Sequence, residues 1–223
     1  MAEVLLKTEE LTKSFGGLVA IQELSMEVEA GEIHAVIGPN GAGKTTLIAQ
    51  LYGSLKPDSG RILFENRDIT HVPEYRRSAL GLARSFQITS VLKNFSALDN
   101  VALAVQAHAG HSFRFWSKAR KAQELREPAL EILEKIGLTD RMDMPASSLS
   151  HGEQRQLELA MALATRPKLL LLDEPMAGMG VEESQKMVEL LQDLKGTHTL
   201  ILIEHDMDAV FALADRITVL VYG

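Results

Sequence analysis

Gly38-Pro-Asn-Gly-Ala-Gly-Lys-Thr-Thr46 narrows the fold more than any other part of this chain. It satisfies G-x-x-x-x-G-K-[ST], and the flanking residues supply the context that this pattern needs. Glu32-Ile-His-Ala-Val-Ile37 reads as a buried strand ending at Gly38, and a helix can begin after Lys44. Glycines let successive backbone N–H groups converge on phosphate oxygens, where a Cβ would obstruct them. The loop Gly38, Pro39, Asn40, Gly41, Ala42, Gly43, Lys44, Thr45 and Thr46 is therefore read as a nucleotide-binding segment. Lys44 supplies positive charge to the β- and γ-phosphates, and the Thr45 hydroxyl can ligate Mg²⁺. The helix N-terminus adds its own partial positive charge.

A second element complements the loop. Leu169-Leu-Leu-Leu-Asp-Glu-Pro175 is an apolar strand ending in two carboxylates, and open α/β sheets bind ligands at that end of their strands. Asp173 suits Mg²⁺ coordination, directly or through water, and Glu174 suits polarisation of an attacking water. The long interval between Lys44 and Asp173 requires inserted structure. Residues 90–147 provide it, with helical patterning and no good strand: Ala129, Ile132, Leu133 and Ile136 recur on one helical face that ends at Gly137. Residues 4–30 read as β-rich, and Lys56-Pro-Asp-Ser-Gly60 as a turn into Arg61-Ile-Leu-Phe64. After Glu153 helix and strand alternate again, with a helical stripe at Met187, Leu190, Leu191 and Leu194 and buried strands expected at Thr199–Ile203 and Ile217–Val221. The expected fold class is α/β: a phosphate-loop NTPase core with a mainly parallel sheet, an N-terminal antiparallel β subdomain and an inserted α-helical subdomain. Within one domain of residues 1–223, the core takes 1–89 and 150–223, and the helical insert 90–149.

Composition restricts the function classes. At 223 residues the chain can bury a substantial core. A formal net charge of −7 argues against broad nucleic-acid binding. With no cysteine there is no disulfide, no thiolate catalysis and no Cys-based zinc site. The opening residues lack a basic stretch followed by an apolar core, so no signal peptide is expected. Apolar runs fall far short of the roughly 18 residues of a membrane span, so a membrane role comes through a partner.

Taken together and in order, these motifs resemble the nucleotide-binding subunit of an ATP-binding cassette (ABC) transporter. The match covers almost the whole chain: the loop Gly38–Thr46, Gln87 after Arg84-Ser-Phe, Leu149-Ser-His-Gly-Glu-Gln154, Asp173-Glu174-Pro175, and His205 after a strand. The resemblance implies ATP and Mg²⁺ as ligands, with Thr45, Gln87 and Asp173 around the metal. It implies catalysis by Glu174 with His205 at the γ-phosphate, and Gln87 sensing that region where a transmembrane subunit docks. Phe15 would stack on adenine. Ser150, His151, Gly152 and Glu153 would contact the ATP held by an opposite subunit, with two ATP molecules sandwiched between two domains. Taken alone, a Gln after a strand is ordinary polar surface, a His at a strand end is ordinarily satisfied locally, and an aromatic such as Phe15 has a core reading beside the favoured adenine-stacking one. His108 and His111 lack an acid pair to complete a metal site and are read as surface.

Within the family, Phe15-Gly-Gly-Leu-Val-Ala-Ile21, Ala83-Arg-Ser-Phe-Gln87, His151 and Glu204-His-Asp-Met207 resemble the importers of branched-chain (hydrophobic) amino acids, and urea and amide importers share much of this pattern. That resemblance implies transmembrane permease subunits, a second ATPase subunit, the same or a different chain, and indirectly a periplasmic or extracellular binding protein. It places the chain peripherally on the cytoplasmic face of the cell membrane, without nucleic acid. Phe113-Arg-Phe-Trp-Ser-Lys-Ala-Arg-Lys121 either approaches the membrane face or permease, or forms a solvated helix with a few packed aromatics. One position departs from the family pattern: Gly180 stands where an Asp or Asn is usual, so no side-chain contact is expected there. Two other readings use the same residues: a non-transport ABC protein regulating a soluble partner, and a nucleotide-binding module without turnover.

Overall fold

The computed structural model describes residues 3–85, 91–108 and 123–223. The chain divides into two compact units, one of Met1–Arg84, Lys168–Glu174 and Leu191–Gly223, the other of Ser85–Pro167 and Pro175–Leu190. In chain order the regular elements are β1 (Val4–Phe15), β2 (Leu18–Glu29), β3 (Ile33–Ile37), α1 (Lys44–Tyr52), β4 (Ser59–Phe64), β5 (Arg67–Asp68), α2 (Glu74–Leu80) and β6 (Leu82–Arg84). They continue with α3 (Ala97–His108), α4 (Gln123–Lys135), α5 (His151–Ala164), β7 (Leu169–Asp173), α6 (Val181–Leu194), β8 (Thr199–Ile203), α7 (Met207–Leu213) and β9 (Arg216–Val219).

The first unit holds two sheets. One is antiparallel, in the order β2-β1-β4-β5; the other has the order β6-β7-β8-β3-β9, and each of its pairings is parallel. Every residue of β7 and β8 is buried. Strands covered on both faces tolerate an unbroken run such as Leu169-Leu-Leu-Leu, which an amphipathic strand would not. Because β7, β8 and β3 are neighbours and parallel, their carboxyl ends share one edge. That edge receives the loop after β3, Glu174 after β7 and His205 after β8.

The strand expected at Ile217–Val221 forms as β9, but it is not buried. Among the described residues it pairs only with β3, at the sheet edge, and Ile217 is 39% exposed, Val219 62% and Val221 58%. An apolar sequence makes a strand; its place in the sheet decides how many faces are covered.

Helix α1 is anchored at the end remote from the loop. Arg77, 1% exposed, donates from Nη1 to the Gln50 and Leu51 carbonyls (2.7 and 2.7 Å), from Nε to Val72 (2.8 Å) and from Nη2 to Thr70 (3.0 Å). Burial pushes its guanidinium down to about 10, so it stays charged at neutral pH and complements the negative end of the α1 dipole.

In the second unit α3, α4 and α5 pack on one another. Ala129, Leu133 and Ile136 are buried and Ile132 half-buried, as the helical period predicts. The turn ends at Gly137 (φ 73°), where the Leu138 N–H closes on the Leu133 carbonyl at 2.9 Å. Among the described residues no helix is long and apolar enough to cross a membrane.

Candidate nucleotide site

The start of α1 is built to receive an anion. Its N-cap is Gly43, with φ 106° and no side-chain cap, and its first turn carries no acid. The first-turn N–H groups therefore lack the side-chain acceptor that most helices supply. Both other helix starts relevant to the motifs are capped: Ser150 and Glu153 form a reciprocal capping box on α5, and Asp206 accepts from Asp208 and Ala209 on α7. The Lys44 ammonium folds back over the loop, donating to the Gly38 and Pro39 carbonyls at 2.7 and 3.0 Å. The loop is held from outside as well: the Gly223 N–H donates to the Ala42 carbonyl at 3.2 Å, and a Cβ at Gly43 would lie 2.2 Å from the Ala20 carbonyl.

A cleft of about 290 Å³ opens over this loop, lined by Phe15, Leu18, Ala20, residues 40–46, Glu174 and His205. Phe15 is half exposed (50%), with the Lys13 ammonium 5.5 Å from its ring centre, so it is not a core residue. Lys13 is in turn fixed by Asp58 at 2.6 Å. A flat apolar ring at the rim of a phosphate-binding cleft suits a purine base.

Two carboxylates occupy different environments at the end of β7. Asp173 is buried (1% exposed), and burial pushes its carboxyl above the usual range, with Glu174 adding to the rise, while Arg84 and Lys44 oppose it. Its Oδ2 accepts from Arg84 Nη2 at 3.2 Å, whereas Oδ1 is buried and makes no hydrogen bond. Glu174 stands in the left-handed region (φ 51°), its N–H bonded to the Ile203 carbonyl at 2.9 Å. The strand alternation ends there, and the Glu174 carboxylate meets His205: Nε2 to Oε1 is 2.6 Å. An ionised carboxylate only accepts, so this contact makes Nε2 the protonated nitrogen.

A divalent cation needs hard oxygen donors at this edge. Among the described residues no three His, Cys, Asp or Glu side chains cluster as a metal cage. Mg²⁺ does not need one: it is held by one or two protein oxygens together with phosphates and waters. The unpartnered buried Oδ1 of Asp173 and the Thr45 hydroxyl are hard oxygen donors of the required kind.

The other motif residues lie together in the second unit. Ser150 accepts the Glu153 N–H at 3.1 Å, and Glu153 is already engaged, taking the Ser150 N–H at 2.8 Å and Arg141 at 3.0 Å. His151 is exposed and Gly152 buried. A further carboxylate stands there that the motifs do not announce: Glu183 Oε1 accepts from the Ser150 hydroxyl at 3.2 Å and Oε2 from the Gly180 N–H at 3.4 Å. A Cβ on Gly152 would come within 2.6 Å of it. Gly180 thus acts through its backbone, as the absence of a side chain requires. Gln87, His111 and the segment 113–121 lie outside the described residues; His108 is exposed at the end of α3.

Three further side chains partner the motif residues, and the motifs alone do not announce them. Arg84 belonged to a quoted motif without a role, and the signal was a charged residue in a strand that must lie beside a buried acid. Glu183 follows Gly180 by the spacing of a capping box, and Glu204, buried before His205, accepts the His205 N–H at 2.7 Å.

Comparison with known proteins agrees with this geometry. The family model described as ABC transporter matches residues 21–177. The high-affinity branched-chain amino acid transport ATP-binding protein BraF of Pseudomonas aeruginosa is 36% identical over 230 residues, covering 100% of this chain and 90% of that protein. LivG of Escherichia coli, of the same description, is 36% identical over 232 residues, with 100% and 90% covered. Among solved structures, a nucleotide-free ATP-binding cassette from an ABC transporter superposes with a TM-score of 0.86 at 33% identity, covering 99% of this chain and 88% of the other. An ATP-binding cassette in its ADP conformation gives 0.87 at 34% identity, with 99% and 88% covered. The chain belongs to the ABC transporter family, as one of its ATP-binding cassettes.

Proposed function

We propose that this chain binds and hydrolyses ATP as the peripheral subunit of an importer for branched-chain amino acids or a closely related small solute. The observation that carries the catalytic part is the Glu174–His205 contact of 2.6 Å beside the phosphate loop. Glu174 accepts the proton of the attacking water, and His205, oriented by Glu204 through its own backbone, keeps the carboxylate in place. Gly38–Thr46 bind the phosphates, Lys44 turning from its loop carbonyls to them, and Phe15 stacks on adenine. Thr45, Asp173 and Gln87 would hold Mg²⁺, which would supply positive charge against the phosphates. The branched-chain assignment is supported by full-length similarity to BraF and LivG.

In this reading Ser150, His151, Gly152 and Glu153 serve the ATP of a second ATPase subunit, identical or different. Permease subunits anchor the pair at the cytoplasmic face of the cell membrane, and a binding protein outside delivers solute. The fold is organised with its core in residues 1–89 and 150–223 and its helical insert in 90–149. The test is Glu174→Gln. Nucleotide affinity is expected to stay within about twofold while turnover falls at least about a hundredfold. Steady-state phosphate release at the unsubstituted rate would reject Glu174 as the base.

A further inference from the structure

Arg84, in the Ala83-Arg-Ser-Phe-Gln87 motif but with no role given by it, stands beside the carboxylate of Asp173. It closes β6, next to β7, and the register sets it opposite Leu171. Asp173 is two residues further along β7, so it projects on the same face as Leu171. An arginine is long enough to span that step, and Nη2 reaches Asp173 Oδ2 at 3.2 Å. Both side chains are withdrawn from water, 13% exposed for Arg84 and 0% for Asp173. Among the described residues the Arg84 Nε is buried without a hydrogen bond. A carboxylate at such a depth, left alone, would be an uncompensated buried charge.

We infer that Arg84 is a positioning residue for Asp173, holding Oδ2 by one charged hydrogen bond so that Oδ1 alone is left to a divalent cation. The inference rests on the reading of Asp173 as a metal ligand. A guanidinium cannot itself bind the cation and cannot lose its proton at physiological pH. It therefore acts through the acid, fixing the orientation of its two oxygens. Partners that orient a metal-ligating carboxylate in this way typically contribute 10–100-fold in metal affinity. The arrangement also separates two roles that a lone aspartate would combine. One oxygen is satisfied by Arg84, and the other would be left to the cation.

The test uses the full chain with Glu174→Gln as background, so that ATP persists. Mn²⁺ replaces Mg²⁺ as a paramagnetic probe, titrated against the ATP-loaded protein and followed by electron paramagnetic resonance. ATP affinity is measured separately in EDTA. Arg84→Met is expected to weaken Mn²⁺ binding about tenfold, with metal-free ATP affinity changed less than about twofold. Arg84→Lys, which keeps the charge without the planar donor pair, recovers part of the loss. In the presence of Asp173→Asn, Arg84→Met has no further effect on Mn²⁺. Should Arg84→Met not fold, Arg84→Gln, which keeps a donor for Oδ2, is measured in its place and is expected to lose Mn²⁺ affinity in the same direction. Asp173→Asn with undiminished Mn²⁺ affinity overturns the ligand reading and this inference with it. Asp173→Asn weakening Mn²⁺ while the Arg84 variants do not overturns the role of Arg84 alone, as does an equal loss of ATP affinity in EDTA.

Discussion

Glycine does different work at different points of the phosphate loop. A Cβ on Gly38 would lie 2.1 Å from the Leu220 carbonyl, and one on Gly43 2.2 Å from that of Ala20; both obstacles are backbone and cannot turn aside. Gly41 has φ 80° but open space around it. Gly38→Ala and Gly43→Ala are therefore expected to cost roughly 2–5 kcal/mol and to abolish ATP binding. Gly41→Ala should cost about 1 kcal/mol and leave binding measurable. Thermal unfolding with and without ATP checks both. The pattern of glycines was legible as a phosphate loop because the chemistry is local. Which of them are indispensable was not, since the carbonyls they face come from Ala20 and Leu220, distant in the chain. The same limit applies to Asp173: its identity as a strand-end acid could be read directly, but its partner Arg84 is set by the β6–β7 register.

At the scale of elements, α1 depends on Arg77 as much as on its own sequence. Four carbonyls converge on that one buried guanidinium, and a Cβ on Gly53 would lie 2.7 Å from its Nε. Arg77→Met leaves those acceptors buried and unpaired, so a loss of at least about 2–3 kcal/mol is expected in denaturant unfolding. ATP affinity should fall with it, because the frayed helix begins at the loop. Nothing in the residues around Arg77 forecast this, as its partners lie on α1 and on the segment after β5. The helices themselves were readable. The stripe on α4 and the stop at Gly137 are periodic and local, and Ser150-x-x-Glu153 is a capping box in sequence before it is one in space. The strand at the chain's last apolar run was readable as a strand and not as an edge, because Ile217-Thr-Val-Leu-Val221 has the composition of β8. Only the strand order β8-β3-β9 distinguishes them.

For the whole molecule, acid is the condition that discriminates among its carboxylates. Lys13 and the Ser14 N–H hold Asp58 below the usual carboxylate range, and Thr70 does the same for Asp68. At Asp215 burial pushes upward, but Lys195 and the Ile33 N–H outweigh it and the carboxyl ends lower. A group lowered on folding contributes its stability above its unfolded value, about 4, and loses it as the pH falls through the folded one. Asp173 has the opposite sign: raised by burial, it favours the fold most at acid pH and least above its raised value. The denaturation midpoint should thus fall below about pH 4, and Asp215→Asn should flatten that fall. An Asp215→Asn midpoint as steep in acid as the unsubstituted one would contradict the assignment.

Glu174 carries its side chain on a left-handed backbone that a glycine would adopt freely. Held there, a glutamate costs about 1–2 kcal/mol relative to an ordinary conformation. Under the proposed role of Glu174 as the base, the most stable version of this fold is therefore not its most competent one: selection for thermal endurance alone would drift toward glycine here, and a carboxylate at this position is kept for turnover rather than for persistence.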